Sequence, residues 1–301
     1  MGLEAEIQKK LETRVFKPTS WSGEGCSNKG SVYETDGGLV YVKTNNYQQS
    51  KEMFDGEMAG LIEMAKTGAI RVPEPKVVVQ SSKGHNSALV MEYIDMRNCR
   101  NQSTLGTNLA TMHLHNSRRK DKPDYVHQFG YNIHTSCGFI NQPNNWSRDW
   151  VKFFTDQRLG HQFYLLQEKG FVLDDEYDLW HELKRRTPLF FGGIEIYPSL
   201  LHGDLWSGNT AETNDPHSTP VVFDPACFYG HHEYDLGITD MFGGFNSSFY
   251  NAYHSLIPKD PGFEDRHDLY QLYHYLNHWN QFGSGYRASA LSIMNKLIKK
   301  K

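Results

Sequence analysis

His202-Gly203-Asp204-Leu205-Trp206-Ser207-Gly208-Asn209 is the stretch of this sequence with the clearest chemical content. It follows the short apolar run Ser199-Leu200-Leu201. A second apolar run, Val221-Val222-Phe223, ends at Asp224-Pro225. An Asp, an Asn five residues on and a second Asp beyond the next strand is the spacing that phosphoryl transfer from ATP uses. Asp204 can orient a hydroxyl nucleophile and accept its proton. Asn209 and Asp224 offer a carbonyl and a carboxylate, hard oxygens that Mg2+ takes together with phosphate oxygens. The upstream residues agree in order. Lys43 ends Val40-Tyr41-Val42, where a strand lysine reaches the α- and β-phosphates, and Glu57 lies on the next helix, placed to pair with it. Gly25, Cys26, Ser27 and Asn28, inside the Gly-containing stretch 23–30, would cover the phosphates with backbone N–H groups. Met91 would face the adenine and the backbone of Glu92-Tyr93-Ile94 would hydrogen-bond it; an ordinary strand-to-loop crossing is equally compatible there.

These residues need elements to hold them. Ser31-Val32-Tyr33, a turn at Asp36-Gly37-Gly38 and the run 39–42 predict a hairpin. Apolar residues at helical spacing over about 49–66 predict a helix carrying Glu57, stopped at Gly68. Residues 77–79 and 88–91 read as two more strands. Beyond Tyr93-Ile94 the pattern turns helical, with candidates at 108–115, 147–168, 174–186, 235–242, 263–279 and 288–300. The expected architecture is α+β, with a small β-rich lobe over residues 1–94 and a larger helical lobe over 95–301.

The chain has 301 residues, 38% hydrophobic and 22% charged. That is long enough to bury a sizeable core as one large domain or two modest ones. Thirty-one Lys+Arg against 35 Asp+Glu leave a formal charge of −4. With no basic excess or stripe, nucleic acid is not an expected partner. No apolar run approaches the ~18 residues of a membrane span, so no membrane association is expected. The amphipathic start carries Glu4 and Glu6 and lacks the apolar core of a signal peptide. Cys26, Cys99, Cys137 and Cys227 make neither a disulfide framework nor a zinc pattern, which points to a reduced protein of the cytoplasm. His267, His274 and His278 share a helix face, but Mg2+ does not want imidazole and no HExxH is present; no transition-metal site is expected on that face.

Six segments carry a wider resemblance: GEGCSNKGSVYETD (23–36), FDGEMAGL (54–61), HGDLWSGN (202–209), FDPACFYGHHEYDL (223–236), MFGGF (241–245) and YLNHWNQFGSGYR (275–287). Together they resemble the fructosamine-3-kinase/ketosamine-3-kinase family, relatives of the aminoglycoside phosphotransferases within the protein-kinase-like bilobal fold. The C-terminal stretch is most similar to the ketosamine-3-kinase branch. One departure is that Cys26 is followed by Ser27-Asn28 where the family commonly has Ile and then Ser or Asn. The resemblance implies transfer of the γ-phosphate of ATP to the 3-hydroxyl of a sugar held as a ketoamine on a protein or small amine. The 3-phosphate is unstable, so the amine is released. It implies that Asp204 meets the sugar hydroxyl and that the Trp206 ring lies beside the sugar, a core Trp under the loop being the other reading. Asp235 would accept hydrogen bonds from the catalytic-loop backbone, or else serve as a helix N-cap, and His202 would support the loop. His278 and Trp279 would help complete the sugar pocket, where an aromatic helix face is otherwise core.

A thiol among converging N–H groups has a lowered pKa. Oxidation of Cys26, as an intermolecular disulfide, is therefore expected to slow the enzyme, and the chain is expected to be a monomer or a redox-linked homodimer. Two other functions fit parts of the pattern: a kinase for another small molecule, such as choline or an aminoglycoside, and a catalytically inactive nucleotide-binding or redox-sensing scaffold. The joint presence of Lys43, Glu57, Asp204, Asn209 and Asp224 opposes the scaffold.

Overall fold

Two-residue alternation gives residues 31–42 one apolar face, and the hairpin they form is the centre of the first sheet. The computed structural model describes residues 2–24, 28–82 and 84–300. After helix α1 (Leu3–Lys10) come β1 (Phe16–Glu24), β2 (Lys29–Thr35), β3 (Gly38–Asn45), helix α2 (Ser50–Lys66), β4 (Pro75–Gln80) and β5 (Ser87–Glu92). The strands make an antiparallel sheet in the order β1-β2-β3-β5-β4. Its two faces are served by different helices. Val40, Val42, Ala88 and Val90 pack with Ile7 of α1, while Leu89 and Met91 join Phe54 and Leu61 of α2. Period two therefore sends Lys43, which pairs with Leu89, to the α2 side.

The rest of the chain is mainly helical: β6 (Met96–Asn98), α3 (Gln102–Ser117), β7 (Thr135–Cys137), β8 (Ile140–Gln142), α4 (Trp150–Phe154), α5 (His161–Glu168), α6 (Asp174–Arg186), β9 (Ser199–Leu201), β10 (Thr210–Thr213), β11 (Pro220–Val222), β12 (Phe228–Gly230), α7 (Ser247–Leu256), α8 (Phe263–Phe282) and α9 (Arg287–Ile298). The larger core lies here, around Leu109, Phe153, Leu201, Tyr234, Phe249, Leu269 and Leu276. Helix α3 packs on α7 and β9, and α8 packs on α5 and α9. Small antiparallel ladders, β11-β10-β6 and β12-β9, hold the loops between them.

Several expected elements change. The single helix read over 147–168 is interrupted by a π turn, Thr155–Gly160, in which buried Arg158 donates to Pro143 O and Asn144 Oδ1, both at 2.6 Å. The helix expected at 235–242 is a 3-10 segment, His232–Gly237: the Asp235 carboxylate is used to hold the loop, and residues 233–237 are buried. Helix α7 was not legible; its buried positions, Phe249 and Tyr253, sit among Ser, Asn, His and Tyr residues that blur the period. Among the described residues no helix is long and apolar enough to cross a membrane.

Helix α2 lies close to the helical part because of Gly56. A Cβ there would fall 2.7 Å from the backbone oxygen of His134. Gly56→Ala gains about 1 kcal/mol of helix propensity, but a backbone oxygen cannot rotate away and overpacking costs about 1–3 kcal/mol. The expected result is a net loss of stability near 1 kcal/mol, seen as a lower urea midpoint at unchanged m. A midpoint at or above the parent's would refute this close seating of α2.

Candidate active site

The loop 202–209 joins β9 to β10, and the β10–β11 ladder sets what lies beside it. Thr210 pairs with Val222, and the Phe223 N–H donates to Asn209 O at 3.1 Å, so Asp224 emerges next to Asn209. Ala226 N–H closes the other end by donating to His202 O at 2.8 Å. Gly203 has φ +83°. A Cβ there would meet Ala226 O at 2.1 Å, so both backbone angle and space require glycine. Asp224 itself has φ +58°, a conformation that costs a non-glycine residue about 1–3 kcal/mol and persists where surrounding structure imposes it.

Lys43 draws three elements together. Its Nζ lies 2.9 and 2.8 Å from the two Glu57 oxygens and 2.8 Å from Asp224 Oδ1. Lys43 and Glu57 are buried at 5% and 7% exposure, while the Asp224 side chain keeps 42% of its surface open. Burial alone would discharge the lysine; the carboxylates of Asp224 and Glu57 outweigh it and hold the ammonium charged. Asp204 sits beside this group. Burial, reinforced by the charge of Asp224, pushes its carboxyl up to about 7, although the Cys137 thiol hydrogen bond pulls the other way. Asn209 Nδ2 donates to Asp204 O at 2.9 Å, which leaves its Oδ1 as an acceptor for an outside group.

Beneath the loop, Asp235 is fully buried. Its Oδ2 accepts from His202 N–H at 2.7 Å and its Oδ1 from Gly203 N–H at 2.8 Å. His113 Nε2 approaches Oδ2 at 3.0 Å. Burial would raise this carboxyl, but the bonds to His113 and to the loop backbone hold it below the ordinary range. His202 Nε2 reaches Phe223 O at 2.9 Å, a further tie between the loop and the Asp224 segment. His113 was missed by sequence reasoning, and so was Cys137, whose thiol contacts Asp204; each is tens of residues away with nothing local to mark it.

The remaining expected residues distribute unevenly. Trp206 is half-buried, packed on the core, with Phe242 edge-on at 5.9 Å. His278 lies 5.1 Å from Phe242 and shares that aromatic surface. Trp279 does not: it is 1% exposed in the core, because the next position along α8 turns into the protein. Met91 is buried in the core beneath the sheet. The Glu92 N–H is given to Glu74 O at 2.8 Å, and its carboxylate pairs with Arg71. Asn28 Oδ1 accepts from Asn45 Nδ2 at 2.9 Å. Gly25, Cys26 and Ser27 lie outside the described residues.

The donors fit the groups that the sequence implies. A half-open carboxylate, an amide oxygen and a fixed ammonium are a hard-oxygen and cationic set suited to a divalent cation and a polyphosphate.

Comparison with known proteins gives the family. The family model for fructosamine kinase matches residues 4–300. The chain is 47% identical to a ketosamine-3-kinase of Mus musculus, covering 99% of this chain and all of that one. It is 44% identical to a chloroplastic protein-ribulosamine 3-kinase of Arabidopsis thaliana, covering 95% of this chain and 84% of the relative. A crystal structure assigned as a fructosamine-3-kinase from Haemophilus somnus superposes with TM-score 0.82 at 24% identity, over 98% of this chain and 96% of that one. An aminoglycoside phosphotransferase solved in a ternary complex with ADP and hygromycin B gives TM-score 0.61 at 14% identity, over 99% and 98% of the two chains. The fold is the protein-kinase-like α+β fold of the aminoglycoside phosphotransferases.

Asp235→Asn tests the support under the loop. An amide has one accepting oxygen, so one backbone N–H of the loop would face an NH2 group. The expected cost is about 1–3 kcal/mol, read from urea unfolding. A parent-like midpoint would show that the loop is held by other contacts.

Proposed function

The chain belongs to the fructosamine kinase family, and on that premise we propose that it transfers the γ-phosphate of ATP to the 3-hydroxyl of ketosamines borne on protein or small amines. The product 3-phosphate is unstable, so the amine is freed. The observation that carries this reading is the convergence of Asp204, Asn209, Asp224, Lys43 and Glu57 at one place. Asp204 has its carboxyl near 7, where a carboxylate can take a proton from a sugar hydroxyl and give it up again. Lys43, held by Glu57, presents a positive charge to the α- and β-phosphates. Asn209 Oδ1 and Asp224 would hold Mg2+, which when bound neutralises charge on the phosphates. Asp235 and His202 keep the loop in register. Trp206 and His278 border the sugar, with the half-buried ring of Trp206 as its flat wall. Met91 would face the adenine, and the backbone of Glu92-Tyr93-Ile94 would hydrogen-bond it.

The same reading treats residues 1–94 and 95–301 as the two lobes; the pairing of β6 with β10 supports a join just before Met96. It also keeps a cytoplasmic setting, in line with the unpaired thiols of Cys99, Cys137 and Cys227.

The decisive assay is ATP consumption with fructose-, ribulose- and psicose-amines beside an aminoglycoside, with phosphorus NMR of the product. Turnover on the ketosamines alone is expected; turnover on the aminoglycoside alone would end the proposal. Asp204→Asn should lower kcat by about 10²–10⁴, the usual contribution of a positioned base, while ADP affinity by calorimetry stays at the parent's value. Near-parental kcat would remove Asp204 from its role. Because the base must be unprotonated and its pKa is raised to about 7, kcat/KM should fall as pH drops below 7 and level off above it. A profile flat from pH 5 to 8, where roughly a hundredfold fall is expected below a pKa of 7, would contradict the assignment.

A further inference from the structure

The buried floor behind Asp204 holds two side chains that the phosphoryl-transfer reading does not use. Cys137 ends β7, and His274 lies midway along α8. Cys137 Sγ, an Asp204 carboxylate oxygen and a His274 ring nitrogen all lie within 4.8 Å of one another. Cys137 is 1% exposed and His274 is fully buried. Neither ring nitrogen of His274 has a hydrogen-bond partner among the described residues. A buried imidazole without partners is unfavourable unless something satisfies it, and here it faces a thiol and a carboxylate.

We propose that Cys137, Asp204 and His274 form a second metal site, selective for a thiolate- and imidazole-binding divalent cation such as Zn2+, and that filling it stops turnover by taking the Asp204 carboxylate. The inhibitory half rests on the role given to Asp204 above; the binding half does not.

The chemistry favours this cation over Mg2+. Sulfur and nitrogen donors suit Zn2+, and three protein ligands with an open fourth position is a common zinc arrangement. Zn–S near 2.3 Å and Zn–N or Zn–O near 2.1 Å require the three donors to draw together by roughly 1 Å, a shift within reach of side-chain rotation. Binding converts the Cys137 thiol to a thiolate and releases its proton to solvent. Thiolate and carboxylate then balance the dication, so the buried site carries no net charge, the condition under which charges are tolerated in an interior. Burial holds His274 neutral, the form that ligates. Asn277 Nδ2 donates to Cys137 Sγ at 3.2 Å and would go on doing so to a thiolate, as outer partners of metal ligands do. The open side is Asp204, which is only half-buried and gives the ion its way in. The ligand set differs from the histidine face of α8 read from sequence. Only His274 of the three takes part, and its partners come from β7 and the catalytic loop.

The test uses the full-length enzyme and Co2+ as the probe. In excess Mg2+, the parent should take up one Co2+ with a thiolate-to-cobalt charge-transfer band that Zn2+ removes. Cys137→Ser, nearly isosteric, should lose the band. His274→Asn tests the same site independently if the serine variant is poorly folded by circular dichroism. With MgATP saturating, Zn2+ should inhibit the parent, and each variant, scored against its own zinc-free rate, should need at least about tenfold more, the scale on which even outer-shell partners act. No band in the parent, or an undiminished band in both variants, overturns the site. A band that depends on Cys137 with turnover indifferent to Zn2+ keeps the site and overturns the inhibition, together with Asp204 as proton acceptor.

Discussion

One ammonium between two carboxylates organises this molecule. Lys43 comes from the sheet, Glu57 from the helix packed on it, and Asp224 from the turn after β11 in the helical part. Buried charges survive only when matched, since removing one partner of such a set typically costs 3–5 kcal/mol. The three residues thus constrain where the sheet, α2 and the β11 turn sit relative to each other. They also keep the lysine charged in a place where burial alone would neutralise it. Glycine at position 56 allows α2 to lie close against the backbone at His134 of the helical part.

The catalytic loop is held by a different device. Short ladders of three or four residues on either side set its ends, and a buried carboxylate, Asp235, gathers consecutive N–H groups of the loop. Electrostatically the two acids near the loop are opposites. Asp235 is saturated with donors and held low, so it serves as fixed structure. Asp204 has few donors and a neighbouring negative charge and is pushed to about 7, which suits proton transfer. Burial pushes both carboxyls up, and hydrogen bonding separates their tasks.

The floor behind Asp204 shows how a site acquires chemistry beyond its main reaction. The interior that raises the Asp204 pKa is lined by a thiol and an imidazole without a partner among the described residues. Those groups are soft where the outer face of the site is hard, so one carboxylate stands between two environments that favour different cations.

The order Lys43, Glu57, Asp204, Asn209, Asp224 was legible because phosphoryl transfer demands fixed residue types and because short strands make their spacing local. The hairpin, α2, α6, α8 and α9 were legible from period and turn chemistry. Helix α7 and the π turn were not, since aromatic and histidine residues hide the period and a buried arginine reshapes the helix. Residue type and spacing along the chain determined which groups converge at the site. Tertiary packing alone decided that Trp279 goes to the core while His278 stays near the surface, that His113 steadies Asp235, and that Cys137 and His274 meet behind Asp204. Those pairings join residues tens of positions apart, and only the close packing of α8 and β7 against the loop brings such side chains within reach.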